Sequence, residues 1–142
     1  MQKITPFLRF DGKAEEAADF YISIFKNSKI NEVMRYPEGA PSPKGSVMSL
    51  NFRIEGQDFI ALNGGPMFQI SPAISFFVSC TTQAEVGELW DKLSEGGVKN
   101  RCAWLQDKYG VSWQIVPKIL GELLQHRDPE KARADCLVRG SG

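Results

Sequence analysis

The sequence is poor in residues that bind metals or form disulfides. It contains one histidine, His126, and three cysteines, Cys80, Cys102 and Cys136, which show no CxxC spacing. An odd number of cysteines without paired spacing favours reduced thiols in a cytoplasm over a disulfide framework. His126 lies in a polar segment near the C-terminus, where we expect a solvated side chain rather than a ligand.

Excess charge and long apolar runs are also absent. Seventeen Lys and Arg residues balance 17 Asp and Glu residues, and no basic run interleaves with aromatic residues. Neither nucleic acid nor an anionic membrane is therefore an expected partner. No apolar run approaches the roughly 20 residues that a membrane span requires, and the N-terminus, MQKITPFLRF, lacks the features of a signal peptide. The 142 residues predict a soluble cytoplasmic protein with one well-buried core.

What the sequence does contain is an internal repeat. The segments KAEEAADFYISIF and TQAEVGELWDKLSEGG each place apolar residues at the spacing of one helical face. The second segment carries a capping box, Thr82 with Glu85, and each helix follows an apolar strand, Ile4–Phe10 or Ile74–Cys80. Alternating and hairpin patterns follow each helix, so the chain is predicted to form β-α-β-β-β twice.

The region after the repeat has a different pattern. PKILGELLQ predicts a short amphipathic helix, and Asp128–Pro129 predicts a further helix start. The long connection YPEGAPSPKGS, at 36–46, is either a semi-rigid link between strands or a flap over a pocket. The expected organisation is one domain over 1–135, with module one at about 1–66, module two at about 67–117, a helical extension at 118–138 and a frayed tail at 139–142.

Three segments carry a resemblance to a known superfamily: FDGKAEEAADFYISIF after the first strand, ALNGGP after the fourth, and CAWLQDKYGVSWQIVP near the end. Together with the two modules they resemble the PhnB-like branch of the vicinal oxygen chelate superfamily, labelled 3-demethylubiquinone 3-methyltransferase. That superfamily includes glyoxalase I, extradiol dioxygenases and bleomycin-resistance proteins. The resemblance covers about 1–135. It implies an α+β fold in which two βαβββ modules form a cup-shaped mixed sheet, a homodimer, and a small molecule bound inside the cup.

The same resemblance indicates which positions hold a metal ion in metal-using relatives. Those ligands are typically His or Glu on the first and last strands of each module, because a divalent metal needs such donors. None of the matching positions here is His, Cys, Asp or Glu, so we expect no metal and no cofactor. The matching positions are Thr5, Ala61 or Asn63, Ala73 or Ser75, and Gln114.

Gln114, in the middle of the last predicted strand, has two interpretations. If its side of the strand lines the cup, the amide can donate to and accept from one bound ligand. Alternatively, it is a satisfied buried amide that bridges backbone groups. The candidate ligand-binding residues are the polar Thr5, Asn63, Ser75 and Gln114, with Met48, Leu50, Phe52 and Trp104 as pocket walls or as core.

Other side chains offer weaker candidates for chemistry. Cys102 has basic neighbours in the sequence, which can lower a thiol pKa and favour a nucleophile, although a structural role is the alternative. Asp107 and Lys108 are expected to be solvated turn residues. Arg9 either faces the cup and binds a carboxylate or phosphate, or points outward.

Two classes of function remain. The patterns favour a metal-free protein that binds a small, partly aromatic or apolar molecule, and they identify no catalytic residue. The alternative is a glyoxalase-type lyase or isomerase, or a dioxygenase-like metalloenzyme, which would need a general base such as His, Glu, Asp or Lys at the ligand positions. Methyl transfer is not expected, because the turn FDGKAEEA holds one glycine instead of the glycine-rich turn of a doubly wound sheet.

Overall fold

The structure is a computed structural model that describes residues 2–40, 42–100 and 103–118. These residues fall into two compact units, one that ends at Ile70 and one that begins at Ser71. The predicted helical extension beyond Lys118, the predicted tail, and Cys102, Cys136 and His126 lie outside the described residues. No helix in the described part of the chain is long and apolar enough to cross a membrane.

The first unit is a β-α-β-β-β module. Its elements, in chain order, are β1 (Phe7–Phe10), α1 (Ala14–Ile24), β2 (Lys29–Arg35), β3 (Val47–Ile54) and β4 (Gln57–Asn63). The strands form one sheet in the order β1-β4-β3-β2, in which β1 runs parallel to β4 and the other neighbours are antiparallel. The β3–β4 hairpin turns at Glu55 and Gly56, whose φ angles of 50° and 81° suit a two-residue hairpin turn.

The second unit repeats this order. Its elements are β5 (Ser75–Cys80), α2 (Gln83–Ser94), β6 (Val98–Lys99), β7 (Trp104–Gln106) and β8 (Ser112–Pro117). The sheet order is β5-β8-β7-β6, with β5 parallel to β8. α2 begins where the capping box predicts, since Thr82 Oγ1 accepts a hydrogen bond from the backbone N–H of Glu85. The prediction of an α+β fold built from two βαβββ modules is confirmed.

The core of the first unit lies between α1 and one face of its sheet. Three alanines of α1 are fully buried, and small residues at these positions let the helix approach the strands closely. Beside them the ring of Tyr21 stacks on Phe52, with 6.2 Å between ring centroids, and Phe52 stacks on Phe59 at 5.4 Å. Aromatic pairs of this kind stabilise beyond the area they bury, by about 0.5–1.5 kcal/mol each.

β1 is shorter than the sequence predicts. The predicted strand Ile4–Phe10 begins at Phe7. Pro6 has no N–H group to donate to a strand ladder, although its carbonyl accepts a hydrogen bond from β4. Before Pro6, the side-chain amide of Gln2 exchanges two hydrogen bonds with the backbone of Asp58. The N-terminal segment is therefore held along β4 by a side chain and not by strand pairing.

Candidate functional site

The sheet of the second unit has one face against α2 and one face turned away from it. The thiol of Cys80 interacts with Glu85 of α2, which marks the helix side of β5. Through strand alternation and pairing register, the same side carries the buried Leu105, Trp113 and Ile115. The side chains between them belong to the opposite face, and they include Ser75, Phe77, Trp104 and Gln114. We call the surface formed by these four residues the Gln114 surface.

Two of the predicted polar residues, Ser75 and Gln114, are in direct contact on this surface. Gln114 Nε2 donates to Ser75 Oγ over 3.0 Å. Within the described residues, the second amide hydrogen and the carbonyl oxygen of Gln114 have no hydrogen-bond partner. The amide can therefore still donate one hydrogen bond and accept another, as a polar anchor for a bound molecule must.

Two aromatic side chains flank Gln114. Trp104 is its cross-strand partner on β7, and Phe77 is its partner on β5. Trp104 is half-buried and Phe77 is 51% exposed, so both present ring surface beside the amide. Apolar and aromatic rings around a few polar groups are typical of small-molecule binding sites. Phe77 is not among the sequence-predicted residues, although its spacing of two from Ser75 on one strand was the available signal.

Asp107 supports the hairpin that carries Gln114. Its Oδ1 accepts hydrogen bonds from the backbone N–H groups of Tyr109 (2.8 Å) and Val111 (3.1 Å). Its Oδ2 accepts from the indole Nε1–H of Trp113 at 2.8 Å. Asp107 is 3% exposed, so the prediction of a solvated turn residue is wrong. Because Trp113 precedes Gln114 on β8, this network also stabilises the strand from which Gln114 projects.

The candidates in the first unit do not form one surface. Thr5 lies before β1, and its hydroxyl donates to the carbonyl of Gln2. Leu50 and Phe52 are 1% and 0% exposed and belong to the core beneath α1. Met48 is half-buried and, two residues before Leu50 on β3, points to the same side of the sheet. The sequence allowed these apolar residues to be either pocket walls or core, and the structure places Leu50 and Phe52 in the core.

Asn63 has both ends of its side-chain amide committed to the backbone. Its Oδ1 accepts from the N–H of Ala14, the first residue of α1, over 2.8 Å, and its Nδ2 donates to the carbonyl of Val47 over 3.0 Å. The N–H groups of a first helical turn need an outside acceptor, and Lys13 at the N-cap position provides none from its side chain. Asn63 thus caps α1 from the end of β4 and ties it to the start of β3.

Two of the positions that the resemblance matches to metal ligands, Ser75 and Gln114, come together in the second unit, offset by two residues in the register of the parallel pair β5–β8. A serine hydroxyl and a glutamine amide do not fit a transition-metal ion, which takes imidazole, thiolate or carboxylate ligands. Among the described residues, no three His, Cys, Asp or Glu side chains are grouped to hold a metal.

Cys80 is a free and fully buried cysteine. Burial, together with the hydrogen bond and negative charge of Glu85, raises the pKa of its thiol to about 12. A thiol with that pKa is protonated at neutral pH, whereas the thiolate is the nucleophilic form. Cys80 therefore acts as a small apolar core residue.

The chain is similar to several known proteins. A sequence model described as 3-demethylubiquinone-9 3-methyltransferase matches residues 2–116. A solved structure described as a 3-demethylubiquinone-9 3-methyltransferase, PhnB protein, from Bacillus cereus is 39% identical, covers 82% of this chain and 99% of its own, and has a TM-score of 0.74. A protein from Pseudomonas aeruginosa shares the fold at 21% identity, with 82% and 96% coverage and a TM-score of 0.66. A glyoxalase/bleomycin resistance protein from Albidiferax ferrireducens does so at 10% identity, with 79% and 95% coverage and a TM-score of 0.50. No protein with a curated description matches the chain.

Proposed function

Because the chain belongs to the PhnB-like family described as 3-demethylubiquinone-9 3-methyltransferase, which has the glyoxalase/bleomycin resistance fold, we propose that it binds a small apolar or aromatic molecule at the Gln114 surface. The observation that carries this proposal is the Gln114–Ser75 hydrogen bond between two accessible aromatic rings. The rings supply apolar contact area, and the half-used amide supplies one donor and one acceptor that orient the molecule.

Binding at this surface requires no metal ion. Gln114 is a neutral amide at the position where metal-using members of the superfamily carry a carboxylate ligand. Its hydrogen bond with the Ser75 hydroxyl uses one amide hydrogen for a neighbour on the same sheet. A hydroxyl and an amide recognise a polar group on an organic molecule well, and they are weak ligands for a divalent cation.

The enzymatic activities that the resemblance and the family description suggest have less support. A glyoxalase-type lyase or isomerase, or a dioxygenase, needs a general base or a metal at the site, and the Gln114 surface consists of a serine, a glutamine and two aromatic residues. Methyl transfer of the common kind uses a doubly wound parallel sheet with a glycine-rich first turn. Here the sheets are mixed, and the turn between β1 and α1 contains the single glycine Gly12.

The proposal is tested by titrating the ¹⁵N-labelled protein with 2-naphthol, a flat aromatic molecule with one hydroxyl. We expect saturable shifts of the Trp104 indole N–H and of the Gln114 side-chain amide. The Trp113 indole N–H is the internal control, because it is buried against Asp107 on the other side of the sheet. Trp104→Ala should weaken binding about tenfold, since tenfold corresponds to about 1.4 kcal/mol and an aromatic contact contributes up to about 1.5 kcal/mol beyond the area it buries. Trp90→Phe on α2 should leave the affinity unchanged.

The metal-free part of the proposal has its own test. Affinity for 2-naphthol should be the same after treatment with EDTA and after addition of Zn²⁺. Turnover of the methylglyoxal–glutathione adduct should be undetectable with added Zn²⁺ or Ni²⁺. Turnover that Gln114→Ala abolishes would refute the binding proposal in favour of the enzyme, and equal shifts at Trp104 and Trp113 would show that the Gln114 surface is not the binding site.

A further inference from the structure

Arg9 presents a cationic group on the first unit's sheet, on the face turned away from α1. Its cross-strand partner on β4 is Leu62, and Phe7, two residues earlier on β1, lies on the same face. Phe7 is 58% exposed, so this part of the sheet has an accessible apolar surface around one positive charge. Of the orientations that the sequence left open for Arg9, the structure has the one in which its side chain lies on the sheet face opposite α1.

The Arg9 guanidinium is held in place by two contacts from the segment that follows β4. Its Nη2 donates to the carbonyl oxygen of Gly64. Its Cζ lies 5.1 Å from the centroid of the Phe68 ring, in cation–π geometry. These contacts fix both the direction and the plane of the guanidinium before any ligand arrives.

The absence of a side chain at Gly64 leaves room for the Arg9 side chain. A Cβ atom at Gly64 would lie 2.3 Å from Arg9 Nε and 2.8 Å from Cγ and Cζ, closer than atoms can approach. Any residue other than glycine would therefore displace the Arg9 side chain. The close approach covers Nε completely, and among the described residues this nitrogen has no hydrogen-bond partner.

Arg9 also differs from the other described arginines in having no counter-charge. Arg35 pairs with Glu15 at 3.6 Å, and Arg53 pairs with Asp58 at 2.8 Å. Within the part of the chain that the structure describes, no carboxylate pairs with Arg9, whose contacts are a carbonyl and an aromatic ring. A guanidinium without a counter-charge in the protein can pair with the anionic group of a ligand through its uncovered N–H groups.

We propose that Arg9 and Phe68 form a binding site for the carboxylate of a small organic acid that carries an apolar or aromatic body. The Nη1 edge of the guanidinium is free of partners among the described residues and matches the two oxygens of a planar carboxylate. Phe7, Leu62 and the exposed rim of Phe68 provide apolar contacts for the body of the acid. The site uses residues of the first unit only, so the test of this proposal is independent of the test of binding at the Gln114 surface.

The test uses benzoate as the probe and the N–Hε resonances of the arginines in ¹⁵N-labelled protein as the readout. Benzoate should shift the Arg9 resonance saturably and leave those of Arg35 and Arg53 unmoved. Benzamide, which has the same shape without the charge, and acetate, which has the charge without the ring, should each bind at least about fivefold more weakly. Equal binding of benzamide, or equal binding of inorganic phosphate and benzoate, would overturn the carboxylate assignment.

Two variants separate recognition from folding. Arg9→Lys keeps the charge but loses the planar guanidinium with its paired N–H donors, so it should weaken benzoate binding about tenfold. The matched control Arg35→Lys should not change the affinity for benzoate. Phe68→Leu keeps an apolar side chain without the ring and should weaken binding severalfold while the Arg9 resonance still reports an intact fold. Unchanged benzoate affinity in Phe68→Leu refutes the site even if Arg9→Lys fails to fold.

Discussion

Replacing Asp107 by asparagine should destabilise the protein although it barely changes the shape of the side chain. The asparagine carbonyl can still accept from the N–H groups of Tyr109 and Val111, as Asp107 Oδ1 does. The amide nitrogen would then face the Trp113 indole Nε1–H, which Asp107 Oδ2 accepts at 2.8 Å. Two donors would point at each other in a site where Asp107 and Trp113 are each 3% exposed.

The size of the effect follows from the number of donors left without an acceptor. A hydrogen bond to a charged group contributes about 1.5–3 kcal/mol, and leaving a buried donor unsatisfied costs about 1–3 kcal/mol, so Asp107→Asn should lower the free energy of unfolding by about 2 kcal/mol. Asp107→Ala leaves the N–H groups of Tyr109 and Val111 unmatched as well, so its cost should be about 4 kcal/mol. That is a large part of the roughly 5–15 kcal/mol that stabilises a domain of this size.

Urea unfolding followed by far-ultraviolet circular dichroism measures these differences. Asp91 lies on the exposed side of α2 in the same unit, so Asp91→Asn and Asp91→Ala are matched controls and should change the free energy of unfolding by about 0.5 kcal/mol or less. An Asp107→Ala variant as stable as the Asp91 controls would refute the reasoning, because it would show that the buried carboxylate is not needed by its donors.

Three further predictions concern the cap of α1, the Arg53–Asp58 pair and the metal-free proposal. Asn63→Ala should destabilise the protein by about 1–2 kcal/mol in urea unfolding, because Ala14 loses its acceptor at the start of α1. The hydrogen bond and charge of Arg53 hold the pKa of Asp58 below its ordinary value of 3.8, so this pair stabilises the fold above that pH, and the contribution is lost as the pH falls through the lowered folded-state value. Unfolding measured at pH 6 and pH 3 should therefore show a smaller acid loss in Arg53→Met than in the wild type, and equal losses would contradict the pairing. Native mass spectrometry of protein purified without added metal should show a homodimer without bound divalent ions, and one such ion per subunit would contradict the metal-free proposal.

The candidate site was only partly visible in the sequence. Ser75, Trp104 and Gln114 were identified, because a strand pattern with a known period shows which of its residues share a side. The sequence does not single out Phe77 on β5. It predicts a solvated Asp107, because the sequence around a turn does not show which donors the carboxylate will meet. Thr5 was placed on a strand that begins only at Phe7.

By itself the sequence determined what depends on residue type and on spacing within one element. The apolar face of α1, the cap of α2 at Thr82 and the repeated β-α-β-β-β order are of this kind, as is the lack of metal-binding residue types at Ser75 and Gln114. The tertiary structure alone decided the parallel pairing of β5 with β8, which brings Gln114 to within 3.0 Å of Ser75, 39 residues away along the chain. A pairing register joins distant segments, and a slip of one residue would turn every side chain of a strand to the opposite face, so local periodicity could not determine it.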